Sequence, residues 1–340
     1  MRLREIGEFG LIKKFQKRIK NDSSVFKGSG DDCAVLKLDD DNYQLFTCDM
    51  IVEGVDFRKT DNLKLVGRKA LAISISDIAA CGGIPRHALV ALGLSKNMKV
   101  NQVDLLTEGL FDLAQKYKIN IVGGDISTAE KLVVDVSMLG KVEKDKLCLR
   151  SGAKAGDIIM VTGDFGGSIK GKHLKFTPRL KEARFLVNNF KINSMIDVSD
   201  GLVQDLGHIL EQSCKGGVLY ESLIPQSKQA KSVENALCSG EEFELLFTLS
   251  RDQASKIIKS SKYSFKVIGE IMPQSFGLRI IDYKNKYTKF KLKGPSVEGR
   301  SGQSYLAGYR PKGRTSQSYL AGYRPKGRTS QSYLAGYRHF

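Results

Sequence analysis

The sequence predicts a mixed α/β protein, with mixed sheets, built as two domains, and three observations predict it. Its 340 residues are enough for two ordinary hydrophobic cores. Short apolar runs of strand length alternate with longer segments whose apolar residues recur at helical spacing. This alternation starts afresh near Lys144, and each half is large enough to be a domain.

In the first half, Tyr43–Thr47, Ala88–Leu94, Ile119–Val122 and Leu132–Leu139 predict strands. Between the second and third lies a helix from Val103 to Tyr117, whose apolar residues stand at 103, 106, 110, 113, 114 and 117. The second half opens with a strand at Asp157–Thr162, then a helix at Arg179–Asn189 and a strand at Ser194–Val198. A helix follows with Leu202, Val203, Leu206, Ile209 and Leu210 on one face. Strands at Glu244–Leu249 and Phe265–Ile271 complete the half. The expected division is 1–143, 144–296 and a tail, 297–340.

That tail contains GQSYLAGYRPKGRT at 302–315, SQSYLAGYRPKGRT at 316–329 and SQSYLAGYRHF at 330–340. A 14-residue unit with so little apolar material cannot bury a core, so a duplicated low-complexity segment is expected rather than a solenoid. The tail also explains part of the net charge of +17: eight Arg/Lys and one acid give it +7. The remaining basic residues are spread through amphipathic stretches such as Ile12–Lys20, with no arginine–aromatic cluster, so nucleic-acid binding is not expected. No apolar run is long enough to span a membrane, and the start lacks a signal-peptide core. Six singly spaced cysteines (33, 48, 81, 148, 214, 238) form no C-x-x-C pair, which predicts reduced thiols and a cytoplasmic setting.

The chemistry is in the carboxylates. Asp32 precedes the apolar run Cys33–Leu36, Asp49 closes Leu45–Cys48, and Asp77 interrupts Leu71–Ala80. Asp125 ends a run with Gly123-Gly124, while Asp197 and Asp200 bracket Val198-Ser199 before a helix. One such aspartate is ordinarily a cap or turn former. Six of them beside apolar runs in a basic chain predict a shared site. Clustered carboxylates repel unless a cation neutralises them. Oxygen ligands without His or Cys select Mg²⁺, which keeps open positions for substrate phosphates. Ser199 and Asp200 before a helix are also placed to offer N–H groups to an anion.

Competing motifs are incomplete. Gly166–His173 matches G-x4-G-K, but His173 stands where a P-loop needs Ser or Thr, leaving Lys170 and Lys172 as candidates to flank an anion. No GxGxxG accompanies a Rossmann unit, and four dispersed histidines make no metal centre.

Taken in order, several motifs resemble the thiamine-monophosphate kinases, in the superfamily that includes aminoimidazole ribonucleotide synthetase. They are Gly10-Leu-Ile, Gly30-Asp-Asp-Cys-Ala, Thr47-Cys-Asp-Met-Ile-Val-Glu-Gly-Val, Lys69-Ala-Leu-Ala-Ile-Ser-Ile-Ser-Asp-Ile-Ala-Ala, Gly123-Gly-Asp, Arg150-Ser-Gly-Ala, Ile196-Asp-Val-Ser-Asp-Gly-Leu and His339-Phe340. The resemblance implies ATP-dependent conversion of thiamine monophosphate to the diphosphate by direct transfer. It implies two PurM-like domains and a homodimer made through the N-terminal halves. It makes Asp32, Thr47, Asp49, Asp77, Asp125, Asp197 and Asp200 a shell for several Mg²⁺ ions, with a backbone contribution at Cys48. Gly124, Asp125, Arg150 and Ser199 would hold ATP.

The departures lie on the acceptor side. Asp56 replaces the family's histidine, and Ser239-Gly-Glu241-Glu242-Phe-Glu-Leu stands for Gly-Gly-Glu-Asp-Tyr-Glu-Leu, keeping Glu241 as the acidic substrate residue. Tyr337 best matches the aromatic before the terminal His-Phe, with Tyr309 and Tyr323 as rivals. Two alternatives stay open at this point: a synthetase-like enzyme of the same superfamily, and a non-catalytic protein recruited through its basic tail.

Overall fold

The computed structural model describes residues 3–259, 262–282 and 286–289. The repeats, Tyr337 and the rest of 297–340 lie outside the described residues.

The first unit runs α1 (Leu3–Gln16), β1 (Val25–Lys27), β2 (Ala34–Lys37), β3 (Asn42–Val52), α2 (Leu63–Ala80), β4 (Ile84–Leu94), α3 (Val100–Tyr117), β5 (Asn120–Thr128) and β6 (Val133–Glu143). Its strands form one sheet in the order β1-β2-β3-β6-β4-β5. The second unit runs β7 (Ile158–Thr162), α4 (Lys172–Lys175), α5 (Leu180–Asn189), β8 (Ser194–Asp197), α6 (Leu202–Ser213), β9 (Lys215–Tyr220), α7 (Val233–Cys238), β10 (Leu245–Leu249), α8 (Arg251–Lys259), β11 (Phe265–Pro273), β12 (Leu278–Ile281) and β13 (Tyr287–Lys289). Its sheet has the order β13-β12-β9-β11-β7-β10-β8. Mixed sheets in two α/β units are therefore observed.

The two sheets differ in a way their sequences explain. β7 (IIMVT) and β10 (LLFTL) are apolar or small throughout and buried at every position. Ile159, Val161 and Leu246 face a core that includes Leu206 and Ile209 of α6. Ile158, Met160, Leu245 and Phe247 face another, with Leu186 of α5 and Ile257 of α8. Continuous apolar strands are what a sheet covered on both faces requires. In contrast, β6 alternates buried and half-buried residues along its length. The first sheet thus buries Val134, Val136 and Met138 against α2 and α3 and leaves its other face largely bare.

Helix α2 joins the two units. It is buried all round, as in Leu71, Ile75 and Ile78, so it lacks the one-sided stripe that betrays a surface helix. Its end, Ala79 and Ala80, packs into the core of the second unit. Glycines let it lie against α3: a Cβ on Gly67 would come 1.9 Å from the Leu106 carbonyl oxygen, and one on Gly109 1.8 Å from that of Lys64. Any side chain there would push α2, and the site it carries, out of place.

Two sequence expectations change. Asp49 and Asp125 do not end strands but sit inside β3 and β5, which run on to Val52 and Thr128. Pairing with the neighbouring strand, not the first polar residue, sets the boundary.

Candidate functional site

Three carboxylates converge where the units meet. Asp32 lies just before β2, Asp77 on α2 and Asp197 at the end of β8, and each offers an oxygen such that all three lie within 4.8 Å of one another. Thr47 on β3 donates its hydroxyl to Asp77 Oδ2. Ser74, on the same helix, donates to Asp49 Oδ2 at 3.1 Å. Ser76 reaches across the joint to Asp197 Oδ2 at 2.6 Å. Alternation along β3 aims Thr47 and Asp49 to this side.

So many acids in one place are costly to ionise. Asp77 is pushed well above the usual carboxylate range by burial and then by Asp49, Asp197 and Asp32. Asp197 is pushed up to about 8 by burial and the repulsion of Asp32, although Ser76 opposes this. Asp31, which accepts from the Arg150 backbone N–H at 3.1 Å, rises to about 7 for the same two reasons. Asp32 is raised by burial while the Arg150 guanidinium, 2.5 Å from Oδ1, pulls it down. Its other oxygen, Oδ2, is buried with no hydrogen-bond partner. An orphaned carboxylate oxygen among two further acids is the environment that a hard divalent cation satisfies. The residues present fit Mg²⁺, with Asp32, Asp77 and Asp197 placed to hold it and Asp49 and Thr47 beside them.

A test follows from linkage. A carboxyl with a raised folded-state pKa keeps its proton to higher pH than in the unfolded chain, so ionising it costs the folded state alone. Metal-free stability should therefore fall as pH rises from 6.5 to 8.5, through the values near 7 and 8 of Asp31 and Asp197. That window lies above the transitions of His173 and His208, both held below 6.5 by burial. Mg²⁺ binds the ionised form, so its stabilising effect should grow over the same window. Thermal melts with Mg²⁺ or EDTA check this; a Mg²⁺ shift equal at both pH values would contradict it.

Other expected members of the shell stand elsewhere. The Cys48 side chain is on the opposite face of β3, 3.5 Å from Asp135, so the thiol is outside the cluster. Asp125 is exposed on the edge strand. Its row pairs it with Ala91, then Asp135, then Met50, whereas Asp49 pairs with Val136. Asp125 therefore lies on the bare face, three strand spacings, about 14 Å, from β3. Within one chain it does not join Asp49. Gly124 has no room for a side chain, since a Cβ would sit 1.7 Å from the Val90 carbonyl oxygen.

Before α6, the turn carrying Ser199 and Asp200 is closed by a residue the sequence pattern did not single out. Asp205 Oδ2 accepts from the N–H of Asp200 at 3.1 Å and of Gly201 at 3.0 Å. Those N–H groups are thus engaged by the chain itself rather than offered to an anion. An acid in the first turn of a helix was the available signal. Asp200, Asp205 and His208 form a second acidic group, and Asp205 is raised by burial, Asp200 and Asp197.

Arg150 forks onto Asp32 through Nε and Nη2. Lys172 is no phosphate ligand here: it pairs with Glu242 at 2.9 Å and Glu244 at 3.0 Å, which removes the remaining P-loop candidate. Lys170 donates to the Gln229 carbonyl. Asp56 turns Oδ2 onto the Val52 N–H at 2.8 Å, closing the turn after β3. Glu241 is buried and sits against Lys69, at 2.5 Å.

This arrangement has relatives. Residues 30–142 match the model of the AIR synthase related protein, N-terminal domain, and residues 151–280 that of the C-terminal domain. The thiamine-monophosphate kinase of Bacillus subtilis (strain 168) is 36% identical over 275 residues, 72% of this chain and 84% of that protein. The chain belongs to the thiamine-monophosphate kinase family. The kinase of Buchnera aphidicola subsp. Schizaphis graminum is 34% identical over 85% of this chain and 98% of its own length. A solved structure, AaThiL complexed with AMPPCP and TMP, superposes with a TM-score of 0.76 at 29% identity, covering 86% of this chain and 98% of that one. The two family domains fall on the two sheets. Among the described residues, no helix is long and apolar enough to cross a membrane.

Proposed function

We propose that this chain is an ATP- and Mg²⁺-dependent kinase that converts thiamine monophosphate to thiamine diphosphate. An oxygen of the acceptor's phosphate attacks the γ-phosphorus of ATP, the bond to the β-γ bridging oxygen breaks, and ADP leaves. No protein nucleophile is needed, so the chain's task is alignment and charge. The observation that carries the reading is the Asp32, Asp77 and Asp197 cluster with its orphaned oxygen at the joint of the two units. Mg²⁺, when bound there, supplies charge neutralisation between two phosphate groups. Asp49, Asp125 and Asp200 extend the shell. Arg150 then exchanges Asp32 for a nucleotide phosphate, which its planar fork suits. Gly124 and Ser199 line the nucleotide side, and Asp56 and Glu241 the acceptor side. Support for the nucleotide and acceptor comes from the relatives' names and from the AMPPCP and TMP bound to one of them.

We further place the domain boundary at 143/144, with a second domain to 296, and assign the bare sheet face to a second copy of the chain. Phe46, Met50 and Leu89 are 43%, 56% and 50% exposed on that face, too much apolar surface to leave to water. Asp125 stands on the same face, so pairing through it carries this residue toward the partner's cluster. A panel of phosphorylated acceptors with ATP and Mg²⁺ tests the substrate. Thiamine monophosphate is expected to turn over well above thiamine itself and other phosphate esters; preference for another ester would move the assignment to that ester.

A further inference from the structure

Lys69 is among the largest fully buried side chains of the described residues. It projects from α2 two turns before Asp77 and is the only ionisable residue among the largest fully buried side chains. Its ammonium lies 2.5 Å from Glu241 Oε2 in the second unit and donates to the Asp56 carbonyl oxygen in the first at 2.8 Å. One buried charge therefore ties together the two residues assigned to the acceptor side.

Its partner is held in an unusual way. Glu241 has φ +64° and Phe243 +52°, left-handed backbone that side-chain-bearing residues rarely adopt. Two hydrogen bonds of 2.7 Å hold the strap: Glu241 N–H to Ser199 O, and Phe243 N–H to Val198 O. A Cβ on Gly240 would come 2.7 Å from the same Ser199 oxygen, so the strap lies flat on the turn between Asp197 and Asp200. Phe243 stacks on Phe176 with centroids 4.2 Å apart, while Arg68, next to Lys69, donates to the carbonyls of Leu174 and Phe176. Strained residues persist where the surroundings over-determine them, and here every constraint converges on where the Glu241 carboxylate sits.

The geometry points to Lys69 as a positioning residue for the acceptor, acting through Glu241. It has no surface with which to touch a ligand, so it is not a catalytic residue. A buried ion pair is poor value as a source of stability, because desolvation offsets its attraction, whereas fixing one geometry is what such a pair does well. Lys69 fixes the Glu241 carboxylate relative to Asp56 and, through the strap, relative to the metal-bearing turn. The acceptor it serves is the phosphate ester of a cationic ring, and this inference rests on the proposed reaction.

A double-mutant cycle tests it, with wild type, Lys69→Met, Lys69→Arg, Glu241→Gln and Lys69→Met/Glu241→Gln. Each is measured for kcat and for the KM of thiamine monophosphate and of ATP. Lys69→Met should raise the acceptor KM about tenfold and leave the ATP KM within about twofold, and Lys69→Arg should recover most of the loss. Once Glu241 is neutral, Lys69→Met should add nothing further. If Lys69→Met fails to fold, Glu241→Gln against the double variant still decides, since the double variant leaves no unpaired acid. An unchanged acceptor KM in folded Lys69→Met, or a full extra factor in the double variant, would overturn the inference. Absence of thiamine-monophosphate turnover in wild type would instead remove the reading beneath it.

Discussion

Replacing Asp77 with Asn is expected to raise the stability of the metal-free protein while lowering turnover about a hundredfold to a thousandfold. The two effects have one cause. Asp77 is pushed up by burial and by the three acids facing it, so folding must either hold a repelled charge or take up a proton, and both oppose it. Asn keeps an oxygen to accept the Thr47 hydroxyl and removes the charge. Turnover falls because one of three converging oxygen ligands is weakened where phosphate charge must be neutralised. Thermal melts in EDTA and initial rates in saturating Mg²⁺ measure the two sides. A variant both less stable without metal and fully active would show that the cluster is structural.

The second large effect concerns Asp125. Asp49→Asn and Asp125→Asn should each abolish activity with folding retained, yet a dimer holding one of each should be active. The register places Asp125 on the bare face, about 14 Å of sheet away from Asp49. If the partner supplies Asp125, such a heterodimer contains one site with both carboxylates and one with neither. Differently tagged chains, coexpressed and purified through both tags, should show about half the wild-type rate per dimer. If both groups served the same chain's site, every site would carry one defect and the heterodimer would be dead.

The sequence pattern revealed the chemistry better than the geometry. Asp32, Asp77 and Asp197 stood out because acids beside apolar runs are out of place, and these three converge. The face on which Asp125 lies could not be read in that way. It depends on pairing register, and a slip of one residue exchanges the faces of a strand. Helix α2 shows no one-sided stripe because it is buried all round, so Ser74, Ser76 and Lys69 had no pattern to betray them. A lysine is ordinarily taken for a solvated face; its burial and its partners Glu241 and the Asp56 carbonyl show otherwise. Asp56 was legible as a departure, but its bond to the Val52 N–H belongs to a turn that spacing alone does not show. β9 begins Lys215-Gly-Gly, where the glycines suggest a turn. The first is required because a Cβ on Gly216 would come 2.6 Å from the Pro273 carbonyl oxygen of β11.

The most direct measurement is product identification with the full chain, ATP and thiamine monophosphate across a Mg²⁺ titration. Thiamine diphosphate and ADP are expected in equal amounts, appearing with Mg²⁺ and absent in EDTA. Folded protein that formed no thiamine diphosphate at any Mg²⁺ concentration would contradict it.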